Sequence, residues 1–318
     1  MKRTLPIVLV SLCVACGGGG DSGPEPPEPI PDDVEAISFL GQPLKAPPLP
    51  DEVREEREQK LEAAREALAE NADSVDALIW FGRRTAYLGR YRDAVAIYTR
   101  GIGTMAPDAR LYRHRGHRYI TLRRLDDAIE DLEHAAEMIE GQPDRVEPDG
   151  LPNARNVPTS TLQSNIWYHL GLAYYLEGDF NSALRAYREC EKVSVNPDML
   201  SATSHWLYMT LRRLGRDLEA AKVLEPIHAE MDIIENDDYH RLLLMYKGEI
   251  EPEDVLAEST GDDGSISFAS AAYGVGNWYL QNGETERARE IFEQIVAGGQ
   301  WPAFGFIAAE AELARGMP

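Results

Sequence analysis

Arginine is the residue type that most clearly sets apart one part of this 318-residue sequence. Residues 73–125 contain eleven arginines and no lysine against four aspartates, whereas the whole chain has a formal net charge of −22. A guanidinium group pairs with both oxygens of a carboxylate or phosphate, so the cluster favours recognition of an anionic group. A solvated face that balances acidic neighbours would explain part of it. The overall acidity argues against a nucleic-acid binder, because phosphate backbones would be repelled.

Other residues that could do chemistry form no catalytic or metal-binding pattern. His114 and His117 lie three positions apart, but the arginines beside them would repel a cation. The acidic residues around Glu147 lack the glycine-centred spacing of a calcium loop, which favours a solvated loop. Cys190 occupies a position that prefers a small buried residue, so packing explains it better than nucleophilic chemistry. The sequence therefore predicts no metal, no cofactor and no enzyme activity.

The first fifteen residues have the pattern of a signal peptide. Two basic residues precede an apolar stretch at positions 5–15, which is too short to span a bilayer. The stretch runs into CVAC at positions 13–16, followed by four glycines. This resembles a bacterial lipobox, although Cys13 stands where that motif usually has leucine. The resemblance implies cleavage before Cys16 and acyl chains, palmitate among them, on that cysteine. Cleavage after Ala15 without lipid is the alternative.

Residues 16–50 are predicted to be an extended tether. Positions 17–50 contain nine prolines and six glycines among 34 residues, a composition that cannot bury a core. An apolar cluster at 34–40 is either a sticky part of the linker or a docking segment, and docking is the expectation. Glycine directly after the lipobox cysteine resembles lipoproteins sent to the outer membrane, which implies a location on its periplasmic face.

Residues 51–318 carry a repeat with a period near 34. Gly82 and Gly116 are 34 apart, as are Ala94 and Ala128, and apolar residues follow at helical spacing. One unit reads Trp167, Leu170, Gly171, Tyr174, Gly178, Phe180, Ala183 and Tyr187. It resembles the tetratricopeptide repeat (TPR). The resemblance implies an all-α, right-handed superhelical solenoid of about five to six helical hairpins with capping helices. The insertion at 141–161 is expected to lie against the groove beside the arginines, or to act as a spacer.

In the TPR family the first helix of each hairpin lines a concave groove that holds peptides. Carried onto this sequence, the expected ligand-binding residues are Arg83, Arg110, Arg113, His117, Tyr168, His205, Arg212 and Asn277. Charged donors beside flat aromatic rings are what a peptide-binding surface uses. Packing between helices is the alternative for the aromatic residues.

Two functions from different classes follow. The first is a non-enzymatic scaffold of the bacterial envelope, tethered by lipid, whose partners by resemblance to TPR lipoproteins are cell-wall hydrolases, proteases or components of secretion and assembly. The second is a receptor for a small anionic ligand or glycan, with Arg83, Arg113 and His117 as the anion site. A pocket closed by the 141–161 loop favours the receptor, and an open groove favours the scaffold.

Overall fold

The computed structural model describes residues 31–259 and 266–317, which fold into helices apart from one small hairpin of strands. The signal peptide, Cys16 and most of the tether lie outside the described residues. The strands are β1 (Ala36–Ile37) and β2 (Pro43–Leu44). The helices are α1 (Asp51–Glu70), α2 (Val75–Tyr87), α3 (Tyr91–Thr104), α4 (Ala109–Thr121), α5 (Leu125–Met138), α6 (Leu162–Glu177) and α7 (Phe180–Val193). They continue with α8 (Pro197–Arg213), α9 (Asp217–Val223), α10 (Asp237–Tyr246), α11 (Pro252–Ser259), α12 (Ile266–Gln281), α13 (Thr285–Ala297) and α14 (Phe304–Ala314).

Helices α2 to α13 form consecutive hairpins, each packed on the next, which confirms the predicted all-α fold of TPR-like repeats. Between the two helices of most hairpins, a glycine with positive φ makes the turn, for example Gly89 and Gly283. Side-chain caps begin several of the first helices, as where Ser74 accepts from the backbone N–H of Ala77 at 3.2 Å. A hairpin cannot bury its apolar face alone, so the stacking of neighbours makes one continuous core.

The two helices of a hairpin approach closely at a glycine. A Cβ atom at Gly171 would lie 2.7 Å from the Tyr187 ring, and one at Gly276 would lie 2.6 Å from Phe292. The aromatic ring therefore occupies the space that a side chain on the first helix would need. This is the physical reason for the repeated glycine in the sequence.

We expect Gly171→Ala to lower the free energy of unfolding by about 2 kcal/mol, because the added methyl group overpacks a buried contact with Tyr187. Urea denaturation measures the change. Gly103→Ala is the matched control: that glycine lies in α3 with open space around it, so alanine should add up to about 1 kcal/mol through helix propensity. Equal effects of the two substitutions would contradict this account of the glycine.

The second half of the expected tether is docked on the helices. The compact unit begins at Asp32, not at residue 51. Within it β1 pairs with β2 in antiparallel register, and Val34, Ala36 and Leu44 are buried. Arg92 donates a side-chain hydrogen bond to the backbone carbonyl of Val34 at 3.0 Å. The docking expected of the 34–40 cluster is therefore found.

Helix α14 differs from the polar cap that its terminal position suggests. Its residues 305–312 are all buried, including two glutamates. Glu310 pairs with Arg123 at 2.6 Å, and Glu312 pairs with Arg213 at 3.0 Å. Because these partners lie at the ends of α4 and α8, the last helix packs back on earlier repeats.

Candidate functional site

The expected binding residues lie on the face formed by the first helices of the hairpins (α2, α4, α6, α8, α12), here called the inner face. The 141–161 loop covers one edge of it, with contacts that run from Arg83 and Arg84 on α2 to Asp232 and Glu235 before α10. Helix α14 covers the opposite edge, where Phe304 contacts the rings of α4 and α6. The inner face is therefore closed by the chain itself.

The loop is held by a buried cluster of charges centred on Glu147. Its carboxylate lies 3.2 Å from Nε of Arg113 and 3.0 Å from Nε2 of His114, and it accepts from the side-chain amide of Asn165 at 2.7 Å. Beside it, Nη1 of Arg83 donates to the Pro148 carbonyl at 2.7 Å. The loop thus lies on the arginine-rich helices, as expected. The interpretation of Glu147 as part of a solvated loop is wrong, because this side chain is buried.

The electrostatics of this cluster follow from burial and from opposite charges. Burial alone would raise the pKa of Glu147, but the charges of Arg113 and His114 outweigh it and hold that pKa well below its ordinary value. Burial and the neighbouring Arg113 lower the pKa of His114 to about 3. The cluster is therefore an ionised carboxylate with an arginine and a neutral histidine, and it is a structural clasp in this conformation.

We expect Glu147→Gln to lower the free energy of unfolding by about 2 kcal/mol, because the buried Arg113 loses a charged hydrogen-bond partner. Limited proteolysis should then cut the 141–161 loop faster than in the parent. Asp144→Asn, at an exposed position of the same loop, should leave both properties nearly unchanged. Parent-like stability and proteolysis of Glu147→Gln would mean that the cluster does not hold the loop.

Several expected binding residues form an aromatic core under α14. The ring of His117 lies 4.3 Å from that of His169 and 5.4 Å from Phe304. The hydroxyl of Tyr168 accepts from the indole of Trp206 at 2.8 Å. His205 is buried as well, with its Nδ1 3.2 Å from the Tyr246 hydroxyl. For Tyr168 and His205 the structure shows packing between helices, which was the alternative to ligand binding.

The remaining expected residues also have partners within the chain. Arg110 pairs with Asp108 at 2.7 Å and with Asp76 at the start of α2. Arg212 pairs with Asp217 at 2.9 Å. The amide of Asn277 donates to the Tyr175 hydroxyl at 2.9 Å in the buried core. The inner face has the basic and aromatic composition that the sequence predicts, but its side chains are used to hold this conformation.

An open groove lies on the other side of the hairpins, between α5 and α7, with α6 as its floor. It has a volume of about 890 Å³ and is here called the outer groove. Trp167, Leu170 and Tyr174 of α6 line its floor, with the two aromatic side chains half-buried. A second concavity of about 440 Å³ adjoins it along α5 and also includes Tyr174. Half-buried aromatic side chains in a concave surface are typical anchors for a protein ligand.

The wall of the outer groove on α5 is acidic. Its carboxylates belong to Asp126, Glu130, Glu133, Glu137 and Glu140. They follow one another at spacings of four and three residues, which places them in one stripe on a helix. Sequence reasoning missed this stripe, although its spacing is legible in the sequence. The charged residues were weighed there by region and not by helix face.

The described residues contain no group of three or more histidine, cysteine, aspartate or glutamate side chains arranged to hold a metal ion. The same part of the chain has no helix with the length and apolar character needed to cross a membrane. Cys190 is buried, and burial raises the pKa of its thiol to about 11, which suits packing and not nucleophilic chemistry.

Comparison with known proteins finds the repeat. Residues 164–194, which hold α6 and most of α7, match the tetratricopeptide repeat family. Three solved structures are similar. MamA (15% identity, TM-score 0.41) aligns over 64% of this chain and 100% of its own. YrrB, titled a TPR protein with an unusual peptide-binding site (17%, 0.41), aligns over 80% and 99%. The apo quorum sensor NprR from B. thuringiensis (15%, 0.43) aligns over 80% and 76%. A search of curated proteins found no match.

Proposed function

We propose that this chain is a non-enzymatic scaffold that binds partner proteins. One observation carries the proposal: the outer groove is a concave surface with an aromatic floor and charged walls, and most of its acidic residues take no part in ion pairs with lysine or arginine within the described residues. Groups that hold a fold are normally partnered, as Glu147, Glu310 and Glu312 are here. A surface of this kind suits binding to another protein.

The N-terminal sequence supports a location in the bacterial envelope. Lipid on Cys16 would hold the chain on a membrane, and the proline- and glycine-rich residues up to position 31 would form the tether between the lipid and the compact unit. The favoured location is the periplasmic face of the outer membrane. The favoured partners are envelope proteins such as cell-wall hydrolases, proteases or secretion and assembly components.

The lipid anchor is tested by metabolic labelling with a palmitate analogue in a bacterial host. The parent should carry the label and sediment with membranes, whereas Cys16→Ser should be unlabelled and remain in the soluble fraction. Cys190→Ser is the matched control because that cysteine is buried in the helical core, so its variant should be labelled like the parent. An unlabelled parent would rule out the lipid anchor and leave ordinary signal cleavage.

The scaffold function is tested by affinity capture from envelope extract, with the full chain as bait and quantitative mass spectrometry as the readout. The expected result is a small set of proteins that are enriched reproducibly and that then bind the purified chain directly. A set that does not exceed a bait of unrelated acidic protein would contradict the scaffold. This test assumes nothing about which surface binds.

A second candidate is a receptor for a small anionic ligand or glycan, and it has one supporting observation. Within the described residues no carboxylate pairs with Arg83, Arg84 or Arg118 on the inner face, although Arg113 is paired with Glu147. Calorimetric titration with inorganic phosphate tests it, with Arg118→Gln as the comparison. Saturable binding by the parent that Arg118→Gln loses supports the receptor, and no heat of binding contradicts it.

A further inference from the structure

The outer groove and its adjoining concavity have a strong excess of negative charge. Seven carboxylates line them against two arginines. One arginine, Arg188, is already paired with Glu191 at 2.9 Å. The other, Arg185, donates to the Ser182 hydroxyl at 2.8 Å. The groove therefore presents more negative charge than its own cations compensate.

The carboxylates on the α5 wall are exposed and have no basic partner. None of the five acidic residues from Asp126 to Glu140 on this wall pairs with a lysine or arginine in the part of the chain that the structure describes. Glu133 accepts a hydrogen bond from Tyr174, and Glu137 lies 3.8 Å from His134. Like charges three and four residues apart on a helix repel each other, so the stripe costs stability unless a cation approaches it.

The floor supplies what a charged wall alone does not. Trp167 and Tyr174 lie seven residues apart on one face of α6, with the buried Leu170 between them. Their half-buried rings can pack against an apolar side chain or against the methylene stem of a lysine or arginine. The wall and the floor together select for positive charge next to apolar surface.

We propose that the outer groove binds a basic segment of a partner protein that also carries apolar side chains, a proposal that rests on the scaffold function and specifies the ligand. The stripe from Asp126 to Glu140 spans about 20 Å along the helix axis. About six residues of extended chain cover that length. Charge complementarity sets the sequence of the ligand, with lysine or arginine towards α5 and an apolar side chain towards Trp167.

The experiment measures fluorescence anisotropy of a labelled six-residue peptide with four lysines and two leucines, titrated with the full chain. We expect saturable binding that weakens as salt is raised, because exposed charges are screened. The double variant Glu130→Lys with Glu137→Lys should weaken binding by about tenfold or more. A peptide with glutamate in place of lysine should not bind. Trp167→Ala should weaken binding at high salt as well as at low salt.

The control separates this groove from the general acidity of the chain. Glu286→Lys with Glu293→Lys makes the same charge change at two exposed positions, also seven residues apart, on α13. Binding of the peptide by this variant should equal that of the parent. Equal loss in both double variants, or no loss in the first, overturns the proposal. Neither result affects the scaffold function, because the capture experiment does not depend on the groove. If captured partners still bind the first variant as they bind the parent, the groove is not their site.

Discussion

The free energy of unfolding should fall by about 6 kcal/mol when the pH is lowered from 7.5 to 5, because three buried histidines cannot take up protons in the folded state. Burial lowers the pKa of His205 to about 3, and burial together with Arg113 lowers the pKa values of His114 and His169 to about 3. A loss of this size is comparable with the whole stability of a typical domain.

The sign follows from which state binds protons. Below pH 6.5 the unfolded histidines become charged, while the folded ones stay neutral down to pH values near 3. Lower pH therefore favours the unfolded chain, by about 2 kcal/mol for each histidine at pH 5. The three side chains are enclosed by the elements that close the inner face: His114 contacts Glu147 of the loop, His169 contacts Phe304 of α14, and His205 is fully buried.

Urea denaturation at pH 7.5, 6.5, 5.5 and 5 measures this dependence. His205→Gln should reduce the loss of stability over this interval by about 2 kcal/mol, whatever its effect at pH 7.5. Gly103→Ala, which changes no titratable group, should keep the pH dependence of the parent. A stability that is constant between pH 7.5 and 5 would show that these histidines can become charged in the folded state.

Arg123→Gly should lower the free energy of unfolding by about 2–4 kcal/mol, although it introduces the residue that the local backbone favours. Arg123 has a φ of 62°, in the left-handed region, at the turn between α4 and α5 where the other repeats have glycine. Glycine would relieve about 1 kcal/mol of strain there. The same change removes a buried ion pair and leaves Glu310 without its cation, which costs about 3–5 kcal/mol.

The geometry explains why the ion pair dominates. The guanidinium group lies 2.6 Å from a carboxylate oxygen of Glu310, and both side chains are nearly inaccessible, at 2% and 1% exposure. It also donates to the backbone carbonyls of Thr121 at 2.6 Å and Trp301 at 2.9 Å. These contacts join the second repeat to the segment that leads into α14. Loss of the arginine should therefore loosen the cover of the inner face.

Chemical denaturation and limited proteolysis of the C-terminal helix test this prediction. Arg124→Ala is the matched control, because its pair with Asp127 is largely exposed and should contribute about 1 kcal/mol or less. The double variant with Glu310→Gln should be less destabilised than the two single variants added together, since they remove the same interaction. Additive effects of the two changes would contradict a direct coupling between the residues.

The sequence by itself determined the repeat and its local geometry. Glycines such as Gly171, the aromatic residues sixteen positions later and the turn glycines specify a helical hairpin through contacts that are close along the chain. The missing turn glycine at position 123 was also legible, but the reason for it was not, because Glu310 lies 187 residues away. The stripe on α5 was available from spacing alone.

Only the tertiary structure decided which face of the solenoid is open. The TPR pattern places Tyr168, His205 and Asn277 on the first helices of the hairpins, and that placement holds for any stack of such units. Closure of the inner face depends on the 141–161 loop and α14, which lie outside the repeat and act through long-range contacts such as Arg113 with Glu147. A local pattern can specify a helix and its faces, but a buried ion pair between distant segments forms only when the whole chain has packed.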